Sequence, residues 1–174
     1  RADELMRLER ALFGDWCGYV FQPGEYGRAG FEATLDRVDA ALRSTAGPWF
    51  LGGDEPGIVD FQYISHVERM VPSALYWKGL RIRCSGRWAG IDAWLAAFEA
   101  RPTYLATKSD YFTHVMDIPP QYGPGQPVPA GEAFRRAIDG RDGWTLPLPA
   151  LSAESLEPVL PFCDPGDPGA RHEA

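Results

Sequence analysis

Few side chains in this sequence have the type and spacing to do chemistry. Cys17 follows Trp16 on an apolar-periodic stretch. A reactive thiolate needs a nearby cation, a histidine or a helix N-terminus. Cys17 falls late in its expected helix, which is the wrong end, so a packed or pocket-lining thiol is expected. His66 has a side chain suited to acid–base work. With Glu68 and Arg69 beside it, an interhelix polar contact is the simpler expectation. His66, His114 and His172 are too scattered to suggest a metal site, and no HExxH or Cys/His ligand spacing occurs. The segments 139–143 and 164–169 look like calcium loops but lack the spaced third acid and the terminal Glu, so they read as turns. No P-loop, GxGxxG, GxSxG or triad arrangement is present. No catalytic residue, metal or cofactor is therefore expected from this chain.

Lys78, Arg81, Arg83 and Arg87 gather positive charge on an acidic chain, interleaved with Trp77, Ile82 and Trp88. Arginines that lie over the rings of a solvated loop are the default. Contact with an acidic partner is the functional alternative.

The whole chain limits its partners. It has 174 residues, 45% hydrophobic and 24% charged, which fits one globular domain with an irregular tail. The net charge of -7 argues against nucleic acid, because phosphates would be repelled. No apolar run approaches the roughly 18 residues of a membrane span. Peripheral attachment through a complex stays open. Cys17, Cys84 and Cys163 are odd in number and form no CxxC pair, so a reducing intracellular compartment, cytoplasm or organelle interior, is expected. The chain starts with Arg1 rather than Met, which suggests processing or trimming.

These residues must be positioned by helices. Apolar positions 5, 8, 12, 13, 16 and 20 recur at three- and four-residue steps, with Asp3 as N-cap and Pro23-Gly24 as the stop. A second helix is expected from about Ala29 to Ser44, with Asp39 and Arg43 paired on its wet side. A third, from about Ile58 to Val71, is apolar all round, which marks a central buried helix closed by Pro72. A fourth runs from about Gly90 to Ala100, where Arg101-Pro102 breaks it, and Tyr104 to Val115 forms a further helix. No stretch alternates with period two, so the fold class is all-α.

The connector Trp49-Phe50-Leu51-Gly52-Gly53-Asp54-Glu55-Pro56 and the following Gly57-Ile58-Val59-Asp60 carry a resemblance. They resemble the segment entering the buried helix of the C-terminal domain of glutathione transferases, where a Ser/Thr-x-x-Asp capping box follows. Residues 94–102, ending in Arg101-Pro102, look like that family's next helix. The resemblance covers roughly 1–116 and implies a glutathione-transferase C-terminal-like helical bundle. Asp60 can reach back to the Gly57 N–H as a structural N-cap, but Gly57 has no oxygen to return the second bond. Its loss is expected to cost roughly 0.5–2 kcal/mol.

In that family the helical domain supplies part of an apolar co-substrate pocket, here Phe13, Trp16, Cys17 and His66, and much of the dimer surface. The thioredoxin-like domain that binds glutathione and activates its thiol is not in this sequence. Glutathione is expected only if such a domain belongs to the intact protein. Two functions follow. One is a non-catalytic binding or assembly module, a subunit of a larger complex with a protein partner or a second copy. The other is the co-substrate half of a glutathione transferase.

Residues 117–174 differ in composition. They hold 11 of the 16 prolines and a net charge of -5. They read as a Pro/Gly-rich extension with one short helix, beyond a packed domain of 1–116. Trp144 and Phe162 are expected to be buried on the helices or on another protein, because exposed apolar clusters mark contacts.

Overall fold

A computed structural model describes residues 1–141. Among these residues there is no strand. Helix α1 (Ala2–Val20) is followed by α2 (Arg28–Arg43), α3 (Ile58–Lys78), α4 (Ala89–Glu99), the single turn α5 (Pro102–Leu105) and α6 (Tyr111–Tyr122). A 3-10 turn at Pro129–Gly131 leads into α7 (Glu132–Ile138). The all-α reading holds. Helix α3 is the hub: α1 packs on it and on α2, α6 and α7 lie against it, and α2 also touches α4.

The stripes read from the sequence face this core. Leu5, Leu8, Leu12 and Trp16 of α1 meet Phe31, Leu35, Val38 and Leu42 of α2 and Val59, Tyr63, Val67 and Met70 of α3. Several boundaries differ for physical reasons. Helix α1 starts at Ala2 with Arg1 as N-cap, so Asp3 lies inside the first turn, where it serves the helix dipole rather than a cap. Asp39 is not on a wet face. It is buried, and its Oδ1 accepts from Gly90 N at 2.7 Å and Ile91 N at 3.2 Å, capping α4 from a neighbouring helix. The bond from Arg43 is a longer 3.5 Å contact from an exposed side chain.

Pro72 does not close α3. The helix runs on to Lys78 with Pro72 inside it. The lost backbone bond is offset because Ala74, Leu75, Tyr76 and Trp77, beyond the proline, are all buried. Gly79 ends the helix instead, at φ 66, with its N–H on Leu75 O at 2.9 Å. A Cβ there would meet Ala130 O at 2.4 Å, so only glycine fits. Nor is α3 apolar-buried all round, since Ile58 and Phe61 in its first turns are exposed. The helix expected over Tyr104 to Val115 is two helices. Asp110 restarts the chain as the cap of α6, with its Oδ1 accepting from Thr113 N at 2.6 Å.

Position 116 falls inside α6, and packing continues beyond it. Gln126 N donates to Val20 O at 2.8 Å and Val128 N to Trp77 O at 2.9 Å. Val128 and Ile138 are buried, and Tyr76 donates its hydroxyl to Asp139 Oδ1 at 2.9 Å. Gly125 passes so close to the Trp77 ring that a Cβ would overlap it. Residues 117–141 are thus part of the helical body. Trp144 and Phe162 lie outside the described residues, as do residues 164–169 and Cys163.

Asp60 is fully buried. Its Oδ2 accepts from Gly57 N at 2.9 Å, and its Oδ1 accepts from both Phe50 N at 3.1 Å and Trp94 Nε1 at 2.9 Å. Removing it strands two buried donors and one half-buried donor rather than a single cap bond. Asp60→Ala is therefore expected to cost about 3–5 kcal/mol, above the range for a cap alone. Gly57 sits at φ -97 and ψ -177, which serine adopts freely. Gly57→Ser is expected to gain a few tenths of a kcal/mol. Denaturant melts check both; a midpoint for Asp60→Ala within the cap range would mean the other two donors find new partners.

Candidate functional site

Three of the four candidate pocket residues meet on one face of the α1–α3 pair. The Phe13 ring lies 5.6 Å from Trp16 and 4.9 Å from the His66 imidazole, centroid to centroid. Trp16 is buried and donates its indole N–H to Ser73 Oγ at 2.9 Å. Cys17 is half-buried one turn beyond Phe13, and burial pushes its thiol pKa up. A raised thiol stays protonated at neutral pH, so Cys17 packs rather than reacts. His66 Nδ1 lies 2.5 Å from Oε1 of Glu9, a carboxylate buried on α1. His66 therefore makes an interhelix polar contact, and the partner is Glu9 rather than its sequence neighbours.

Sequence reasoning missed the residues that finish this face. Phe21 stands 5.4 Å from Trp16. Tyr122, at the end of α6, reaches back to lie 5.9 Å from Phe13, 5.8 Å from Trp16 and 6.3 Å from Phe21. The rings form one tilted and edge-on cluster, a geometry their quadrupoles favour. Glu9, Phe13 and Cys17 are spaced by four and so share a stripe of α1, a signal available in the sequence. Nothing local in the sequence pointed to Tyr122, because its partners are about a hundred residues away.

The four cations do not form an open basic patch. Lys78 is fully buried, and its ammonium donates to Gln22 O and Gly24 O, both at 2.7 Å, tying down the turn after α1. Arg83 pairs with buried Glu99 at 2.5 Å. Arg87 bridges Glu32 and Asp36 and lies 4.6 Å over the Trp88 ring. Arg81 lies 5.7 Å over the Phe134 ring. Their charges are largely spent on the chain itself.

A second site, unforeseen from the sequence, is a small cleft between α3, α4, α5 and α6. Its lining includes Glu68, Arg83, Glu99, Tyr104, Lys108 and His114. Lys108 donates to Glu99 Oε1 at 2.7 Å, and Tyr104 donates to Glu68 Oε2 at 3.1 Å. Burial pushes the Glu68 carboxyl up, against its bond from Tyr104. Burial first, and then the Arg69 charge, push His114 down from 6.5 to about 4. Among the described residues no group of three side chains suits a metal ion.

The His114 shift has a sign. The stability gained by keeping the ring neutral is complete above its unfolded value near 6.5 and is lost as pH falls through about 4. Glu68, raised, runs the opposite way: its cost fades as pH falls. The wild type is expected to lose about 2–3 kcal/mol more than His114→Gln between neutral pH and pH 4. Denaturant melts across that range check this; parallel curves would mean that His114 titrates freely when folded.

The fold and these sites can be set beside known proteins. Residues 5–97 match the family described as glutathione S-transferase, C-terminal domain. No curated protein and no solved structure matches the chain. The family match runs from the first turn of α1 through most of α4. It includes Asp60 with the Phe50 and Trp94 donors that it holds, and the pocket residues of α1 and α3. It spans more than half of the sequence, and the chain belongs to the glutathione S-transferase C-terminal domain family.

Proposed function

We propose that this chain is a non-catalytic binding and assembly module built on the glutathione-transferase C-terminal fold, acting as a subunit of a larger complex. The observation that carries this reading is the ring cluster of Phe13, Trp16, Phe21 and Tyr122. A transferase needs an apolar hollow where its electrophile lies beside an activated thiol. Here Tyr122 of the same chain packs into that face. Cys17 is held protonated by burial, so this face offers no activated thiol of its own.

A protein partner or a second copy is the ligand that suits the outer surface. Leu51, Ile58 and Phe61 are exposed around the start of α3, and Phe112 and Met116 are exposed one turn apart on α6. Exposed apolar side chains in groups mark contact surfaces. No described helix is long and apolar enough to cross a membrane, and the negative net charge disfavours nucleic acid.

A second reading keeps the family's chemistry: the chain is the co-substrate half of a glutathione transferase, with glutathione bound by a thioredoxin-like domain outside this sequence. Partial exposure of Phe13, Cys17, His66 and Tyr122 favours it, since their outer edges could wall an apolar ligand. The two readings differ in measurable ways. The purified chain is expected to match the uncatalysed rate of thiol addition to a standard electrophile. It is also expected to bind an apolar fluorescent dye weakly, with Tyr122→Ala binding it roughly tenfold tighter as the face opens. Turnover above background, or equally tight dye binding by the wild type, would overturn the closed-face reading in favour of the transferase half.

A further inference from the structure

The cleft between α3, α4, α5 and α6 has more donors than its own acceptors can use. Two positive side chains, Arg83 and Lys108, share the single carboxylate of Glu99, at 2.5 and 2.7 Å. All three are close to nine-tenths buried or more: 11% of the Arg83 side chain, 9% of Lys108 and 5% of Glu99 remain exposed. Arg83 still has a buried Nε without a hydrogen-bond partner. His114 is only 7% exposed, lines the same cleft, and its Nε2 is likewise buried and unpartnered. Buried donors left this way cost free energy unless something accepts from them. Arg69, on α3, adds a further positive charge near His114.

The charges decide what that acceptor is. A cation is opposed by Arg83, Lys108 and Arg69. Among the charged groups at His114, Asp110 and Asp117 act in the other sense, and Glu68 and Glu99 are the lining carboxyls that would oppose an anion. Glu68 already accepts from the Tyr104 hydroxyl at 3.1 Å, and Glu99 accepts from Arg83 and Lys108, so both carboxyls are engaged by the chain itself. Size decides the rest. The cleft is small, about 20 Å3, so it admits at most a compact head and excludes a bulky polyanion. Ser109 also lines the cleft.

The geometry points to a binding site for the carboxylate head of a small acid, held by Arg83 Nε and His114 Nε2 with Lys108 and Ser109 beside them. The neutral imidazole takes the tautomer with its proton on Nε2 and donates it. The rest of the ligand stays at the mouth of the cleft. The head is either a free organic acid or the carboxyl end of a peptide.

The test uses the full 174-residue chain. Its three histidines, His66, His114 and His172, give separate ring signals in a nuclear magnetic resonance spectrum. Sodium acetate is titrated in at neutral pH, with sodium chloride at matched ionic strength as control. The expected result is a saturable shift of the His114 signals with acetate, absent with chloride, and a rise of the His114 titration midpoint when acetate is bound. His114→Phe, with folding followed by tryptophan emission, is expected to weaken acetate binding roughly tenfold or more by calorimetry. A short peptide and its C-terminal amide form the second arm. A peptide acid that binds more tightly than both acetate and its amide assigns a chain terminus, and acetate binding without that gain assigns a free acid. No saturable His114 shift, or one that chloride reproduces, would overturn the site and leave an ordered water on the two nitrogens. Undiminished binding by folded His114→Phe would overturn it as well. If that variant does not fold, the wild-type titration decides alone.

Discussion

The Asp60 carboxylate is the tie on which the rest of the helical body depends. One fully buried side chain accepts from the start of α3, from the connector at Phe50 and from the Trp94 indole on α4. Three parts of the chain, up to 44 residues apart in sequence, are thereby fixed about one point. The arrangement also brings Phe50 within 4.2 Å of Tyr63 and 5.7 Å of Trp94, and Trp94 within 5.2 Å of Phe98, ring to ring. A buried carboxylate is costly unless its oxygens are engaged, and here both are. The cost becomes specificity, since a shift of α3 against the connector or α4 would pull the carboxylate off one or more of these donors. Asp39 repeats the device on a smaller scale by capping α4 from α2. Two buried aspartates thus set the angles at which the core helices meet.

Much of this fold was legible in the sequence. The three- and four-residue steps on α1, α2 and α4 placed their buried faces, and the Trp49 to Asp60 segment carried the family. The misreadings share one cause, which is tertiary packing overriding a local rule. Pro72 is a helix breaker by itself, but four buried residues beyond it hold α3 together. Asp39 and Arg43 have ideal spacing for a surface pair, yet backbone donors of α4 claim the aspartate. Lys78 looked like a surface cation and is pinned on two carbonyls inside. The site was legible only in part. Phe13, Trp16, Cys17 and His66 are grouped through the family resemblance, and Glu9 shares the α1 stripe of Phe13 and Cys17, while Tyr122 comes from a long-range contact without a local signature.

The charge pattern gains meaning from burial. The chain is acidic as a whole, yet its interior holds Lys78, Arg83 and Lys108. Each is used to hold another segment of the same chain: Lys78 the turn after α1, Arg83 and Lys108 the end of α4 through Glu99. Burying such groups costs several kcal/mol per ion before pairing. Lys78 is held by carbonyl oxygens and the Tyr19 ring, 5.4 Å away, and burial pulls its pKa down against the charge of Glu25. The basic segment 78–87 is therefore a set of internal ties whose side chains enter the fold at different points.

The two candidate sites share one further property, which separates scaffold from specialisation. The family match ends at residue 97, before α5 and α6 begin. Tyr122, which packs into the aromatic face, lies beyond that limit. So do Tyr104, Lys108, Ser109 and His114, which line the polar cleft. Helix α6 contributes to both, His114 near its start and Tyr122 at its end, while packing along α3. The shared helices supply the walls of both sites: Phe13, Trp16 and His66 for one, Glu68, Val71 and Leu95 for the other. The later segment decides whether each wall faces solvent, another ring or a buried charge. A rearrangement of α6 against α3 would change both sites, because one helix carries His114 and Tyr122. Helices α3 and α6 thus each carry side chains of both sites, His66 and Glu68 on the one, Tyr122 and His114 on the other.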